Sequence, residues 1–317
     1  MKYATITTYF GHETCDYCAY EVFTYPGGEM QVRFKPRLVE KIKEVDGVRI
    51  IARIFTPKDI IELALLTSAV EGIGIEKGIQ LILPYLPYAR ADRRFTAGDC
   101  FGLETFGNIL ASMSPSAVIT LDAHSAVSEL KIPNIENVSP LPLIEKAIVN
   151  FSRVTLGSQT INVLFPDEGA FHRYNQKDLP AWSIPDAYSC NVASVELKKF
   201  HASKVREPLT GKLTGFDVPE MPDNPTIMVD DICDGGATFI GIAKELKKRN
   251  QEMHLGLYVS HGIFSKTLAP LMEYIEEIYC SNSYFDPTPF PGVKYLNCEP
   301  MLLKAAEKAP RTVIYAA

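Results

Sequence analysis

The sequence predicts an α/β fold with two similar domains, each a parallel β-sheet flanked by helices. Strand-like apolar segments alternate with segments of helical periodicity, which is the pattern of βαβ units. The same alternation recurs in the second half of the chain. In addition, 317 residues are more than one hydrophobic core usually serves.

The elements follow one another in a regular order. In the first half they are VRIIARIF (48–55, strand), IIELALLTSAVEGIG (60–74, helix), IQLILPYL (79–86, strand), FGLETFGNILASM (101–113, helix) and AVITLDAH (117–124, strand). In the second half they are LIEKAIVNFSR (143–153), INVLFPDEG (161–169), CNVASVEL (190–197), TIMVDD (226–231), FIGIAKELKKRN (239–250) and HLGLYVSHGIF (254–264). Residues 207–225, rich in Pro, Gly and Asp, predict a long surface loop.

The two halves join near residues 140–148, which predicts domains over 1–145 and 146–317. The prediction leaves open whether the last segment of the chain packs on the first domain.

Bulk composition excludes several classes of function. The net charge of −6 argues against a nucleic-acid partner, and no apolar stretch is long enough for a membrane span. The N-terminus lacks the layout of a signal peptide, so we expect a cytoplasmic enzyme or binding protein. Seven scattered cysteines predict reduced thiols, although Cys15 and Cys18 form one C-x-x-C pair that keeps a metal or redox role as an alternative.

The segment VDDICDGGAT carries the strongest chemical signal. A short apolar strand, Ile227–Val229, leads into nine residues that predict a loop before a helix, at the sheet edge where α/β proteins place ligands. Backbone N–H groups of a Gly-rich turn at a helix start bind phosphate, while carboxylates accept hydrogen bonds from sugar hydroxyls. The pattern therefore indicates a phosphorylated ribose. The alternative is an ordinary tight turn in which Asp234 caps the helix.

Five segments, in order, resemble motifs of the ribose-phosphate diphosphokinases (PRPP synthetases). They are YPGGEMQVRF, LPYLPYARADRR, VITLDAHS, LFPDEGAFHR and VDDICDGGAT. The last also resembles the phosphoribosyl-binding loop of type I phosphoribosyltransferases. The resemblance implies two type I phosphoribosyltransferase-like domains and a diphosphoryl transfer. In that reaction the C1 hydroxyl of ribose 5-phosphate attacks the β-phosphorus of Mg-ATP, the co-substrate, and AMP leaves.

The same resemblance assigns roles to individual residues. It implies nucleotide binding by Tyr25, Glu29, Arg90 and Asp92, and Mg2+-linked positions at His124 and Asp167. It implies a ribose-phosphate site formed by Asp230, Asp231, Asp234, Gly235, Gly236, Ala237 and Thr238. The plain alternatives are a surface ion pair for Arg90 and a hydrogen-bonded histidine at a strand end for His124. The family also implies a homo-oligomer, a dimer or a hexamer.

One departure from the family concerns its catalytic Lys-x-Arg segment. We assign VELKKFHASKVREPLTG (195–211) to it, with Lys198 or Lys199 as the Lys. That alignment puts Phe200 at the Arg position, so Arg206 is the expected substitute. A solvated charged surface is the alternative.

Further departures affect the expected acceptor. Gly27 and Ala91 replace an Asp and a Gln of the family, and Ala237 replaces a Gly. Gly235 replaces a Thr whose hydroxyl helps to bind a terminal monophosphate, so we expect open space there. A phosphate with a second substituent would fit such a space. The resembled family has relatives that are proposed to act on ADP-ribose, so the resemblance keeps ADP-ribose as an alternative acceptor. Two different functions also stay open, that of a non-catalytic regulatory homologue and that of a phosphoribosyltransferase.

Overall fold

A computed structural model of the chain describes residues 2–8, 20–155, 158, 160–175, 195–206, 213–284 and 289–309. Contacts divide the chain into two units, Met1–Ser139 with Cys298–Ala317, and Pro140–Asn297. The division that the sequence predicts, at 145/146, falls inside a helix whose residues pack on the second sheet. The C-x-x-C pair of Cys15 and Cys18 lies outside the described residues.

The first unit contains a five-stranded parallel sheet. Its strands are β1 (Tyr3–Thr8), β4 (Gly47–Ala52), β5 (Ile79–Leu83), β6 (Ala117–Leu121) and β7 (Ile135–Val138), in the order β1-β4-β5-β6-β7. An antiparallel hairpin is formed by β2 (Tyr20–Thr24) and β3 (Met30–Phe34). The helices are α1 (Pro36–Lys43), α2 (Pro57–Glu71), α3 (Gly102–Ser112), α4 (Val127–Lys131) and α9 (Glu299–Lys308).

Local sequence explains these elements. The strands β5 and β6 are buried along their whole length, as expected for parallel strands covered on both faces. Helix α2 begins with a capping box between Thr56 and Asp59, followed by Pro57 at its first position.

Helix α9, near the end of the chain, packs on the first sheet. Arg53 contacts Glu299 at 2.7 Å, and Gln80 donates to the Ala306 carbonyl at 2.8 Å.

The second unit contains a six-stranded parallel sheet. Its strands are β8 (Thr160–Phe165), β9 (Glu196–His201), β12 (Thr226–Cys233), β13 (Leu255–Gly262), β14 (Glu277–Ser281) and β15 (Val293–Leu296), in the order β15-β14-β13-β12-β8-β9. A separate antiparallel hairpin is formed by β10 (Ser203–Arg206) and β11 (Leu213–Asp217). The helices are α5 (Leu141–Val154), α6 (Glu168–Tyr174), α7 (Ala237–Arg249), α8 (Ala269–Met272) and the 3-10 turn Asn282–Tyr284.

In the second sheet, the order in which the chain adds strands changes direction between the parallel neighbours β8 and β12. From β8 the chain continues to β9 on one side, and it later enters β12 on the other side before proceeding to β13. Ligands of open parallel sheets bind outside the carboxyl ends of the strands at such a switch point. The residues that follow β8 and end β12 are therefore expected to form the ligand-binding site.

The predicted class, an α/β fold with two parallel sheets flanked by helices, is confirmed. Three of the predicted segments differ in extent from the elements observed. The ladder between β12 and β13 continues to Cys233 and Gly262, so the expected nine-residue loop is reduced to residues 234–236. Part of the expected loop at 207–225 is β11, because it pairs with β10. The strand expected at 190–197 lies partly outside the described residues, and β9 begins at Glu196.

In the part of the chain that the structure describes, no helix has the length and apolar character needed to cross a membrane.

Candidate functional site

A three-residue turn joins β12 to α7. Gly236 is the residue that precedes the helix, and its φ of 75° lies in the left-handed region that favours glycine. The first N–H groups of an α-helix have no acceptor within the helix, so those of Ala237 and Thr238 face the turn as donors. The backbone of the turn thus has the form that binds phosphate.

The alternative in which Asp234 caps α7 is wrong. Gly236 occupies the N-cap position, and no side chain accepts a capping hydrogen bond there. The Asp234 carboxylate instead accepts a hydrogen bond from the Ser265 hydroxyl, in the loop that follows β13. Asp234 therefore joins the turn to a neighbouring loop.

Three carboxylates gather where β8 and β12 end. Asp230 and Asp231 belong to the last four residues of β12, and Asp167 follows β8 after one proline. Burial raises the pKa of Asp230 well above its ordinary value, and the charges of Asp231 and Asp167 raise it further. The backbone N–H of Asp231 donates to Asp230 Oδ1 at 2.9 Å. The structure thus brings Asp167, Asp230 and Asp231 together within this unit, and their roles stay predictions.

Two cations balance this group. Arg173 of α6 forms an ion pair with Asp231, whose residue surface is 4% exposed, at 2.6 Å between Nη1 and Oδ2. Lys204 of β10 donates to Asp167 Oδ2 at 2.9 Å. Burial would raise the pKa of Asp167, but the hydrogen bonds from Lys204 and from the Ala170 N–H lower it below its usual value.

Sequence reasoning missed both Arg173 and Lys204. Arg173 lies within the LFPDEGAFHR motif, although no role was assigned to it. Lys204 and Arg206 themselves have the Lys-x-Arg spacing, and this signal identifies Lys204 without the structure. The backbone of Arg206 belongs to β10, while its side chain lies outside what the structure describes.

The predicted residues Lys198 and Lys199 lie further back, on the edge strand β9. Lys198 pairs in register with Asn162 and Lys199 with Val163, before β8 reaches its end at Phe165. Lys199 Nζ donates to Asn175 Oδ1 at 3.0 Å, and burial lowers the pKa of this lysine. Lys204, rather than this pair, is the lysine that contacts Asp167.

The hairpin that carries Lys204 is anchored on α7. The Phe216 ring packs so closely against Gly241 that a Cβ atom there would overlap it. At the far end of the helix, Arg249 donates to the carbonyls of Val218 and Pro219. The hairpin is therefore fixed to the helix that begins at the phosphate-binding turn.

Open space at Gly235 was expected, and this expectation is wrong. A Cβ atom added to Gly235 would lie 3.3 Å from Lys266 Cδ and 3.4 Å from Lys266 Cε. The aliphatic part of the Lys266 side chain fills the volume that a larger residue would need. Lys266, another residue that the sequence did not single out, thus lies against the turn.

In the first unit, the turn of the β2–β3 hairpin carries two of the predicted nucleotide-binding residues. Tyr25 and Glu29 close the turn, in which the Tyr25 N–H donates to the Glu29 carbonyl at 2.8 Å. Gly28 has a φ of 97°, which only glycine adopts readily. Tyr25 is 48% exposed, and its ring contacts Phe23 edge to face. An exposed aromatic ring of this kind can stack on a base.

Asp92 and His124 occupy one neighbourhood in the same unit. Asp92 is buried and forms a two-point contact with Arg93, at 2.8 and 3.0 Å. The hydrogen bonds from Arg93 lower the pKa of Asp92, and the neighbouring His124 lowers it further. Arg90, the fourth predicted nucleotide residue, has an exposed side chain nearby in sequence.

The described residues contain no group of three or more His, Cys, Asp or Glu side chains placed to hold a metal ion. Mg2+ commonly binds through one or two carboxylates, substrate phosphates and waters, so the Asp167 carboxylate fits such a site. His124 belongs to the first unit and Asp167 to the second, and each stays a predicted Mg2+ position.

The two parallel sheets, with a Gly-rich turn and paired carboxylates at the switch point, define a phosphoribosyltransferase-type α/β protein. No family model matches the chain. A ribose-phosphate pyrophosphokinase of Thermococcus kodakarensis is 27% identical over 291 residues, covering 90% of each protein. One of Pyrococcus abyssi is 25% identical and covers 83% of each protein.

A solved structure is similar as well. The phosphoribosylpyrophosphate synthetase of Mycobacterium smegmatis matches with a TM-score of 0.68 over 98% of this chain and 100% of that chain, at 17% identity. These findings confirm the predicted resemblance to the ribose-phosphate pyrophosphokinases, a family of diphosphotransferase enzymes.

Proposed function

We propose that the protein transfers the β,γ-diphosphoryl group of Mg-ATP to the C1 hydroxyl of a 5-phosphoribosyl group, with AMP as leaving group. The observation that carries this proposal is the set of contacts at the switch point. There a phosphate-binding turn and two carboxylates at the end of β12 lie beside Asp167, which follows the adjacent strand β8 and pairs with Lys204 of the separate β10–β11 hairpin.

Each part has a role in the proposed reaction. Backbone N–H groups of Gly235, Gly236, Ala237 and Thr238 bind the 5-phosphate, together with the Thr238 hydroxyl. Asp230 and Asp231 accept hydrogen bonds from the ribose hydroxyls and so orient C1. When bound, Mg2+ neutralises charge on the phosphate oxygens.

Lys204 is the proposed cation for the transferring group. Diphosphoryl transfer depends mainly on alignment of the reacting groups and on neutralisation of their charge. A lysine beside the carboxyl end of β8 supplies a positive charge for that purpose. The hydrogen bond to Asp167 holds this lysine in place. Arg206 lies two residues further along the same strand and is the proposed second cation.

The first unit is proposed to bind ATP. The exposed Tyr25 ring stacks on adenine, Glu29 accepts from the base, and Arg90 and Asp92 bind the rest of the nucleotide. His124, beside Asp92, is proposed to hold Mg2+ directly or through water.

The family resemblance also implies a homo-oligomer. Light scattering of the purified protein tests its oligomeric state.

ADP-ribose is the second candidate acceptor, with ADP-ribose pyrophosphate as product, a compound of use in rebuilding NAD. Two observations favour it. Gly235 supplies no hydroxyl for a terminal monophosphate, and a lysine side chain lies against the same residue.

The test is an initial-rate assay with Mg-ATP and either ribose 5-phosphate or ADP-ribose, in which AMP and ADP are separated chromatographically. The proposal predicts acceptor-dependent release of AMP. Release of ADP would contradict attack on the β-phosphorus. Binding of an AMP analogue without turnover of either acceptor would indicate a non-catalytic homologue, and consumption of PRPP with a free base would indicate a phosphoribosyltransferase.

A further inference from the structure

The loop after β13 is joined to the phosphate-binding turn by a series of contacts. The Cys233 carbonyl accepts hydrogen bonds from the N–H groups of Ile263 and Phe264, at 2.9 and 3.1 Å. Ser265 donates to Asp234, and the Lys266 stem lies against Gly235. Consecutive residues of one loop thus contact consecutive residues of the other, so the backbone that carries Lys266 is held at the turn.

Lys266 brings a positive charge to the rim of the phosphate-binding turn. Asp234 adds a carboxylate at the turn, and its negative charge opposes the approach of a phosphorylated acceptor. The Lys266 side chain is exposed, and its ammonium makes no hydrogen bond or ion pair with the other residues that the structure describes. A lysine ammonium is a flexible point charge well suited to phosphate.

The missing hydroxyl at Gly235 distinguishes two kinds of acceptor. A terminal monophosphate presents three non-bridging oxygens to the turn, whereas the inner phosphate of a diphosphate ester presents two. A turn that lacks one donor therefore suits the inner phosphate, and its outer neighbour extends towards the rim of the turn. The aliphatic part of Lys266 covers Gly235, and its ammonium extends one bond beyond Cε.

We propose that Lys266 binds the outer phosphate of an acceptor whose ribose carries a 5-diphosphate ester, and that it thereby determines acceptor specificity. This inference rests on the proposed function, and it names the class of acceptor that the site selects. The lysine acts on binding of the acceptor and not on the transferring group.

The test measures kcat/KM for ADP-ribose and for ribose 5-phosphate with the wild-type protein, Lys266→Gln and Lys266→Arg. Loss of a charge-assisted hydrogen bond predicts a fall of about tenfold for ADP-ribose in Lys266→Gln. For ribose 5-phosphate the fall is less than about threefold, because the outer phosphate is absent. Lys266→Arg retains most of the activity with ADP-ribose.

Lys248→Gln is the matched control, because it removes the same charge from an exposed position near the other end of α7. It should leave both kcat/KM values unchanged. An equal loss for both acceptors in Lys266→Gln would show that the lysine binds the phosphate they share, and no loss for ADP-ribose would show that it binds neither. Either result overturns the inference.

Equilibrium binding separates this inference from the proposed function. If the wild-type protein turns over neither acceptor, the proposed function fails. Calorimetric titration with ADP-ribose then decides on Lys266 alone. A Kd about tenfold higher in Lys266→Gln supports the inference, and an unchanged Kd overturns it.

Discussion

Arg173 Nη1 lies 2.6 Å from Asp231 Oδ2, and this ion pair joins α6 to the carboxyl end of β12. Asp231 is almost completely buried beside Asp230, so its charge has little access to water. The guanidinium compensates that charge from the strand–helix segment that also carries Asp167. The pair therefore helps the two sides of the switch point to keep their geometry.

Arg173→Met should lower the free energy of unfolding by about 2 kcal/mol, because it leaves the buried Asp231 charge without compensation. Urea denaturation of the unliganded protein measures the change. In the double variant Arg173→Met/Asp231→Asn the uncompensated charge is absent, so much of the loss should be recovered. Strict additivity of the two single changes would mean that the residues do not interact.

Lys204→Ala should reduce kcat about 10²–10³-fold, by analogy with the removal of one charge-stabilising donor, while KM for both substrates changes little. Steady-state kinetics of Lys204→Ala, Lys198→Ala and Lys199→Ala, compared side by side, test this order. Lys198 and Lys199 provide the matched controls, since they lie on β9 at positions before the carboxyl end of the neighbouring strand β8. A larger loss of kcat in either of them would return the catalytic role to the residues that the sequence predicted.

Asp230→Asn should stabilise the unliganded protein at neutral pH. The pKa of Asp230 is raised in the folded state, so ionisation of this carboxyl opposes folding. This cost is fully present above the raised folded-state pKa. It decreases as the pH falls through that value and disappears below the unfolded-state pKa, where the carboxyl is protonated in both states.

The measurement is the difference in unfolding free energy between wild-type protein and Asp230→Asn as a function of pH. We expect the advantage of the variant to shrink towards acid. An advantage that grows on acidification would mean that the folded-state pKa of Asp230 is depressed, contrary to the effect expected from the neighbouring charge of Asp231.

Gly241→Ala should disturb the hairpin that carries Lys204, because the added Cβ overlaps the Phe216 ring. A Gly-to-Ala change inside a helix otherwise stabilises by about 1 kcal/mol. We therefore expect lower kcat in Gly241→Ala and partial recovery in Gly241→Ala/Phe216→Leu, whose smaller side chain can move away. Full activity of the single variant would show that the contact does not position the hairpin.

The central strands and the helices between them could be predicted from the sequence, because β5, β6, β8 and β13 are nearly continuous buried apolar segments and helices such as α7 have a clear period. The outer strands β1, β7 and β15 are only partly buried, and they were not predicted. The carboxylates of the site were also predictable, since Asp230, Asp231 and Asp234 lie within one short motif.

The cations of the site could not be located in the same way. Lys204 is 37 residues from its partner Asp167, and Ser265, which precedes Lys266, is 31 residues from Asp234. Such contacts depend on which distant segments of the chain lie beside the carboxyl ends of β8 and β12. The amino-acid composition does not reveal this. The β10–β11 hairpin was missed for a related reason, because its Gly- and Pro-rich surroundings resemble those of a loop.

The fate of each phosphorus atom of ATP tests the central claim most directly. Three reactions, with ATP labelled at the α, β or γ position, are run with Mg2+ and each acceptor, and the products are separated. With attack on the β-phosphorus, the α label remains in AMP and the β and γ labels move together to the acceptor. Transfer of the γ label alone, with the β label left in ADP, would contradict it.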